Sequence, residues 1–177
     1  MSRDVAAIGV DIGGTTIKLG LVSSYGAILA RRRIAYRGLG DFAALVDAVA
    51  SAAASLRTDA ALRIVGLGLA APGHARPGDG LMVDGTGNVP LLRDRALAPA
   101  IRARLDLPVV TLNDGIAATI GEMSRGAGRG VRRFALLTLG TGVGGGIVID
   151  GVVVTGDGGV PPELGAIVLA DGADGPR

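Results

Sequence analysis

The chain has 177 residues, a formal net charge of +2, one His and no Cys. These counts exclude disulfides, thiol nucleophiles, thiolate metal sites and a His-rich metal site, so no zinc is expected and catalysis depends on carboxylates, amides and hydroxyls. Aromatic residues form only 2% of the chain, too few to stack single-stranded nucleic acid. The apolar stretches are broken well short of the ~20 residues of a membrane span. We therefore expect a cytoplasmic protein that has neither a nucleic acid nor a membrane as its partner.

The first predicted elements are three strands that form an antiparallel meander. Apolar runs occur at Val5–Val10, Ile17–Val22 and Ala27–Tyr36, and a short turn at Ser23–Gly26 separates the second run from the third. Because the connections are so short, consecutive strands are expected to pair with each other.

The turn between the first two strands reads Asp11-Ile12-Gly13-Gly14-Thr15-Thr16. Glycine lets backbone N–H groups approach an anion, and the threonine hydroxyls add further donors. The carboxylate that precedes them can hold Mg²⁺, through water, beside a polyphosphate. The segment taken alone is equally consistent with a plain hairpin, so it predicts either a turn or a phosphate site.

From residue 41 onwards, predicted helices alternate with predicted strands, which indicates a mixed α/β sheet. The elements, in chain order, are a helix at Asp41–Leu56, a strand at Ile64–Ala70, a helix at Leu92–Leu105 that is interrupted or kinked near Pro99, a strand at Val109–Leu112 and a helix at Gly115–Met123.

A second strand, glycine turn and strand follow a segment rich in Gly and Arg. Phe134–Leu139 is a predicted strand, Gly140–Gly146 a glycine loop and Ile147–Ile149 the next strand, with a two-residue hairpin turn at Asp150-Gly151. Two such glycine turns in one chain favour a phosphate clamp over two plain hairpins. We predict an N-terminal domain at residues 1–123, a hinge at 124–133 and the beginning of a second domain at 134–177.

Five motifs in order give the chain a family resemblance. They are Asp11–Thr15, Gly66–Gly73, Gly87–Leu91, Asn113–Ala118 with Gly121-Glu122, and Leu139–Gly146. This pattern resembles the ROK family of sugar kinases and repressors, within the superfamily that shares the actin and hexokinase fold. The resemblance implies a ribonuclease H-like (actin-like ATPase) mixed sheet with flanking helices, followed by the incomplete start of a second similar domain.

The resemblance also implies an ATP-dependent, glucokinase-like phosphorylation of a sugar hydroxyl, with a sugar and a nucleotide as small-molecule partners. It leaves open which sugar is used, whether ATP or polyphosphate is the donor, and whether the protein is a homodimer. Asp114 is the implied general base, and the implied sugar-binding residues are Gly73, Asn88, Asn113, Asp114 and Glu163. The implied nucleotide-binding residues are Asp11 (through Mg²⁺), Gly13, Gly14, Thr15, Thr16, Gly140, Thr141, Gly142 and Gly144.

Several of these residues have simpler explanations. Asp114 stands between a predicted strand and a predicted helix, where it can cap the helix as well as act as a base. Lys18 is expected on a solvated strand face, His74 in a solvated loop, and Glu122 in a structural role within its helix. The asparagines, taken singly, are also common turn or cap residues.

The sequence departs from the family pattern near its end. Pro162 and Ala166 replace a Gly and a sugar-binding His that flank Glu163 in relatives, and no cysteine zinc motif follows. Kinases of the family continue well past this point, through helices that complete the second domain, so the chain is expected to be truncated, which leaves open whether it is active alone. The alternatives are a sugar-binding remnant and a sugar-responsive regulator that lacks its DNA-binding segment, since only Met1–Asp4 precede the first strand.

Overall fold

A computed structural model describes residues 5–58, 62–84, 86–140, 142–157, 160 and 162–167. The chain divides into two compact units, residues 1–114 and 115–177. The division falls between Asp114 and Gly115, so the helix that follows Asp114 groups with the second unit. The domain boundaries at residues 123 and 134 stay predictions.

The helices of the described residues are α1 (Phe42–Thr58), α2 (Leu97–Leu105) and α3 (Asp114–Arg125). Short 3-10 turns occur at Thr86–Asn88, Pro90–Leu92 and Leu164–Ala166. The strands of the described residues, in chain order, are β1 (Val5–Ile12), β2 (Thr16–Ser23), β3 (Ile28–Ala35), β4 (Arg63–Ala71), β5 (His74–Ala75), β6 (Met82–Val83), β7 (Val109–Asn113), β8 (Phe134–Leu139), β9 (Val143–Ile149) and β10 (Val152–Val153).

The first unit contains a five-stranded mixed sheet with the order β3-β2-β1-β4-β7. β1 to β3 form the predicted antiparallel meander, while β4 and β7 run parallel to β1. The parallel strands are joined through α1 and α2, as the alternation of strands and helices predicted. The observed strand ends lie within two residues of the predicted ones. The carboxyl ends of β1, β4 and β7 consequently lie at one edge of the sheet.

One face of this sheet is buried against α1 and α2. Ile8 and Ile17 on the sheet, Leu45 and Val49 on α1, and Ile101 on α2 are almost fully buried in a single core. The residue before α1, an aspartate, accepts a hydrogen bond on its side chain from the N–H of the third helical residue over 2.8 Å. This N-cap fixes the start of α1 at the residue that the sequence indicated.

The second helix differs from the prediction. Pro90–Leu92 forms a separate 3-10 turn, and the chain then bends with Asp94 at a φ of 55° before α2 begins at Leu97. Pro99 is the third residue of α2, where a backbone N–H has no partner inside the helix. The predicted helix is therefore interrupted at residues 93–96, before the proline. The alternative of a kink at Pro99 is wrong, because the ring lies in the first turn and not in the helix interior.

The other face of the sheet, called the glycine face below, has few side chains at its centre. Gly9 of β1 pairs with Gly20 of β2 on one side and with Gly68 of β4 on the other. Arg31 and Val110 end this row on β3 and β7. No described atom comes within 4 Å of the position that a Cβ on Gly9 or Gly68 would take. Long side chains on neighbouring rows therefore have room to move across this face.

The second unit contains a three-stranded antiparallel sheet with the order β10-β9-β8. β9 begins at Val143, so the connection from β8 is only residues 140–142. The glycine loop predicted to continue to Gly146 is wrong in its extent, because the later glycines pair with β8. The predicted two-residue turn is confirmed, since Asp150 and Gly151 both have positive φ, 52° and 81°.

The later glycines of β9 allow α3 to pack directly on the strand backbone. A Cβ on Gly115 would lie 2.6 Å from the carbonyl oxygen of Gly145. A Cβ on Gly146 would overlap the hydroxyl of Thr119, which is fully buried and donates to the carbonyl oxygen of Gly115 over 2.8 Å. Glycine is thus required here for close packing of a helix on a strand.

Candidate functional site

The glycine turn between β1 and β2 leaves backbone donors for an anion. The N–H of Gly13 closes the turn by donating to the carbonyl oxygen of Thr16 over 3.3 Å. The N–H groups of Gly14 and Thr15 donate to no other residue in the described part of the chain. The carbonyl oxygen of Thr15 accepts from the N–H of Tyr36 over 3.0 Å, which fixes the turn to the end of β3. The turn can therefore offer two adjacent donors to a phosphate.

Three polar side chains lie near this turn on the glycine face of the sheet. Asp11 pairs with Lys18 across β1 and β2, so both side chains are on the same face, and Thr16 has the same parity as Lys18. Lys18 Nζ lies 3.0 Å from Asp11 Oδ2, with side chains that are 57% and 52% exposed. The predicted solvated lysine is therefore a partner of the carboxylate that the sequence assigned to Mg²⁺.

The loop that carries Asn88 lies directly against the glycine turn. A Cβ added to Gly14 would come closer to the carbonyl oxygen of Asn88 than the 3.0 Å that real Cβ atoms require. The hydroxyl oxygen of Tyr36 accepts from the N–H of Leu91 over 3.3 Å. Tyr36 thus holds both the turn and the loop. This residue was not predicted from the sequence. The only signal for it was that it is one of two tyrosines in the chain and stands at the end of a predicted strand.

A second contact joins the ends of β4 and β7. Asn113 Nδ2 donates to the carbonyl oxygen of Gly73 over 3.0 Å. Gly73 has a φ of 80°, and a Cβ there would overlap the carbonyl oxygens of Val83 and Asp84. A glycine is therefore needed for the close approach of the loop after β4 to the end of β6. Asp114 follows at once as the first residue of α3, where the helix dipole favours a negative charge.

All the predicted site residues of the first unit consequently lie along one edge of its sheet. β1 ends beside Asp11, β4 ends at Ala71, and β7 ends at Asn113, which pairs with Ala71. In open sheets with parallel strands, ligands bind at the carboxyl ends of those strands. The arrangement brings a glycine turn, two amides and two carboxylates to the edge where such a ligand would be bound.

The predicted site residues of the second unit belong to its first hairpin and to the last described segment. The N–H of Gly140 donates to the carbonyl oxygen of Gly142 over 2.9 Å, and Gly144 pairs with Thr138 in the ladder. Thr141 lies outside the described residues. Glu163 is exposed, and its carbonyl oxygen accepts from the N–H of Ala166 over 3.0 Å.

No set of three or more His, Cys, Asp or Glu side chains that could hold a metal occurs among the described residues. Asp11 can offer one carboxylate at the glycine turn, which suits Mg²⁺, an ion that commonly takes one or two carboxylates, water and phosphate oxygens. Glu122 has a structural contact, because its Oε2 accepts from the N–H of Ala127 over 2.7 Å just after α3. His74 lies in β5, half-buried, opposite Val83.

A small hairpin formed by β5 and β6 follows the Gly73 loop, and residues 76–79 of its turn are exposed. Arg76 Nε donates to the Asp79 carboxylate over 3.0 and 3.1 Å, and the N–H of Leu81 donates to Asp79 Oδ1 over 3.1 Å. The hydrogen bond from Arg76, more than the other contacts, lowers the pKa of Asp79 below its usual value. Among the described helices, none has the length and apolar character needed to cross a bilayer.

Comparison with known proteins gives consistent matches. A family model described as "ROK family" matches residues 7–176. A glucokinase of Streptomyces coelicolor is 39% identical over 166 residues, which are 93% of this chain and 50% of that protein. A crystal structure of a ROK family glucokinase from Streptomyces griseus, in complex with glucose and AMPPNP, has a TM-score of 0.81 and 34% identity, and the alignment covers 93% of this chain and 51% of that one.

A further solved structure, an inorganic polyphosphate/ATP-glucomannokinase from Arthrobacter, has a TM-score of 0.77 and 30% identity, with coverage of 93% of this chain and 64% of that one. The chain thus spans about half the length of the curated relatives that it matches. The predicted fold class, a mixed sheet with flanking helices as in the actin-like ATPases, is confirmed by these structures.

Proposed function

The chain belongs to the ROK family, and we propose that it provides the sugar and phosphate sites of an ATP-dependent sugar kinase with Asp114 as general base. The observation that carries this proposal is the common edge of β1, β4 and β7, where the glycine turn, Gly73, Asn113 and Asp114 occur together. Glucokinases are prominent among the relatives, so a hexose such as glucose is the proposed substrate.

Asp114 would accept the proton of the attacking sugar hydroxyl. Phosphoryl transfer passes through a loose transition state, so positioning and neutralisation of charge contribute more than the strength of the base. Asn113 is held by its bond to Gly73, and Asn88 lies on the loop that packs against Gly14. Amide side chains both donate and accept, which suits sugar hydroxyls. We therefore assign these two asparagines, with Gly73 and Glu163, to the sugar.

The nucleotide phosphates would bind at the glycine turn between β1 and β2. The N–H groups of Gly14 and Thr15 and the Thr16 hydroxyl would donate to phosphate oxygens, while Asp11 would hold Mg²⁺ through water. The ion would neutralise part of the polyphosphate charge. We assign Gly13 to the geometry of the turn. On the family resemblance alone, we assign Gly140, Thr141, Gly142 and Gly144 to the same phosphates.

ATP is the proposed donor, and inorganic polyphosphate is the alternative to be tested beside it. The Streptomyces griseus relative was crystallised with AMPPNP, and the name of the Arthrobacter relative includes both donors. Formation of glucose 6-phosphate from each donor in parallel would separate the two.

Exchange of Asp114 for Asn tests the proposed base. Asp114→Asn should lower turnover with glucose and MgATP by roughly 10²- to 10⁴-fold, because a positioned base contributes about that factor. Asp106→Asn is the matched control, since Asp106 is an exposed aspartate at the end of α2 in a left-handed conformation that Asn also tolerates. Turnover of Asp114→Asn equal to that of the parent would contradict the assignment.

Calorimetric titration with glucose and with MgAMPPNP separates binding from catalysis. The proposal expects both ligands to bind the parent chain and the Asp114→Asn variant. Glucose binding without any phosphorylation by the parent would instead favour the sugar-binding remnant. Failure to bind either ligand would contradict the proposed kinase function.

A further inference from the structure

Lys18 is the only lysine in a chain that contains 17 arginines. We propose that it exchanges partners: it pairs with Asp11 while the site is empty and moves to the phosphates when a metal-nucleotide complex binds. The inference rests on the proposed function, because it needs a phosphate at the glycine turn. It adds a residue that the family motifs at this turn did not include.

The ion pair between Lys18 and Asp11 can be broken easily. The two residues are direct neighbours across β1 and β2, and Nζ to Oδ2 is 3.0 Å. Both side chains are more than half exposed, so neither charge is held in place by burial. Exposed pairs of this kind contribute little to stability, which means that a competing cation or anion can replace either partner.

Mg²⁺ and the lysine ammonium group compete for the same carboxylate. A divalent cation near Asp11 would take over the role of counter-ion there and repel Nζ. On its other side, Lys18 faces Arg33 of β3, a second exposed cation to which it cannot move. The remaining attraction is toward an anion at the turn. Thr16 is two residues from Lys18, about 7 Å along the strand, which a lysine side chain can span.

Lys18 is not fixed by side chains behind it on β1 and β2. Gly20 follows Lys18 on the same face, on the side away from the turn, and Gly9 lies beside Gly20 on β1, so this row carries no side chain on either strand. A lysine is also suited to the exchange, since its ammonium is a compact charge on a flexible stem, whereas the guanidinium of arginine favours fixed bidentate pairs.

Because there is only one lysine, Lys18 is the one side-chain amine that an acylating reagent can label, beside the α-amino group of the chain. The parent chain would be treated briefly with an amine-acylating reagent, and acylation of Lys18 would be quantified by mass spectrometry, with the chain's α-amino group as internal reference. The probes are Mg²⁺ alone, MgAMPPNP, and magnesium tripolyphosphate, each at ten times the Kd found by calorimetry where binding occurs. At that concentration about 90% of the sites are occupied, so both phosphate ligands should lower labelling roughly tenfold.

The outcomes separate this inference from the proposed function. If MgAMPPNP and tripolyphosphate bind and Lys18 is protected, while Mg²⁺ alone gives no protection, the exchange of partners is supported. If they bind and labelling is unchanged, the inference about Lys18 is wrong but the phosphate site remains. If neither binds, the proposed function fails and the inference fails with it.

Variants provide a second readout. Lys18→Gln should raise the Kd for MgAMPPNP at least about tenfold, the effect of one lost charge-assisted hydrogen bond, and leave the Kd for glucose unchanged. Lys18→Arg should recover part of the loss, because it keeps the charge. Arg31→Gln is the matched control, an exposed cation on the same face at the next row of the sheet. Equal effects of Lys18→Gln and Arg31→Gln on the MgAMPPNP Kd would show that only net charge matters and would overturn the inference.

Discussion

Replacement of Gly14 by alanine tests whether the glycine turn and the Asn88 loop are packed rigidly against each other. Gly14 does not have a positive φ, so its backbone can accept a Cβ without conformational strain. The new methyl group would nevertheless overlap the carbonyl oxygen of Asn88, closer than the 3.0 Å limit. To restore contact distance, either the turn or the loop must move by about half an ångström or more, against the repulsive wall of the van der Waals potential.

The magnitude follows from two opposing effects. Overpacking of this kind costs about 1–3 kcal/mol. Loss of conformational freedom in the unfolded chain offsets about 0.4–1 kcal/mol when Gly is changed to Ala at a compatible backbone position. The expected net destabilisation of Gly14→Ala is therefore roughly 0–2.6 kcal/mol, and relative to a Gly→Ala change without overlap it is about 1–3 kcal/mol.

Gly9→Ala is the matched control, because a Cβ there meets no described atom within 4 Å. It shares the effect on the unfolded chain without the steric cost, so it should be neutral or slightly stabilising. Urea denaturation followed by circular dichroism would give both free energies of unfolding. If the free energies of unfolding of the two variants agreed within ~0.5 kcal/mol, the usual error of such comparisons, the turn and the Asn88 loop could move apart at little cost. That result would refute the prediction of a rigid contact.

Three further changes test contacts elsewhere in the chain. Gly146→Ala should destabilise the chain through overlap with the Thr119 hydroxyl, and adding Thr119→Ala should recover about 1 kcal/mol in a double-mutant cycle, whereas additive effects would refute the contact. Tyr36→Phe should cost about 1 kcal/mol in thermal unfolding, because the N–H of Leu91 loses its acceptor, and an unchanged Tm would contradict this. The lowered pKa of Asp79 means that its carboxylate stabilises the fold above the unfolded pKa and loses that effect as pH falls through the folded value. Asp79→Asn should therefore flatten the profile of Tm against pH below ~pH 4, and an identical profile would argue against the contact.

The fold could be predicted from the sequence because its signals are local. Apolar alternation and short turns are sufficient to define the meander, and Asp41 marks the start of α1. An interruption or a kink was predicted near Pro99, and the sequence could not distinguish them because proline is favoured in the first turn of a helix and disfavoured in its interior. The interruption lies at residues 93–96, and no local signal gave that position.

The candidate site could be predicted only in part, because a glycine has several physical uses that look alike in a sequence. Gly14 gives a free N–H and a close contact to Asn88, whereas Gly146 makes room for Thr119 of α3. Contacts between distant segments have no local signal at all. Tyr36 and Lys18 therefore acquired their partners only when the register of β1, β2 and β3 was known.

The two glycines of α3 differ in how much evolutionary change each can tolerate. Gly115 lies against the backbone of β9, where even a methyl group would be 2.6 Å from a carbonyl oxygen, whereas a Cβ on Gly121 would meet no described atom within 4 Å. Alanine is the better helix former at both positions by up to ~1 kcal/mol. Only Gly121 can be replaced by alanine without a clash. Substitution that would stabilise the helix is therefore prevented at Gly115, the residue next to the proposed base.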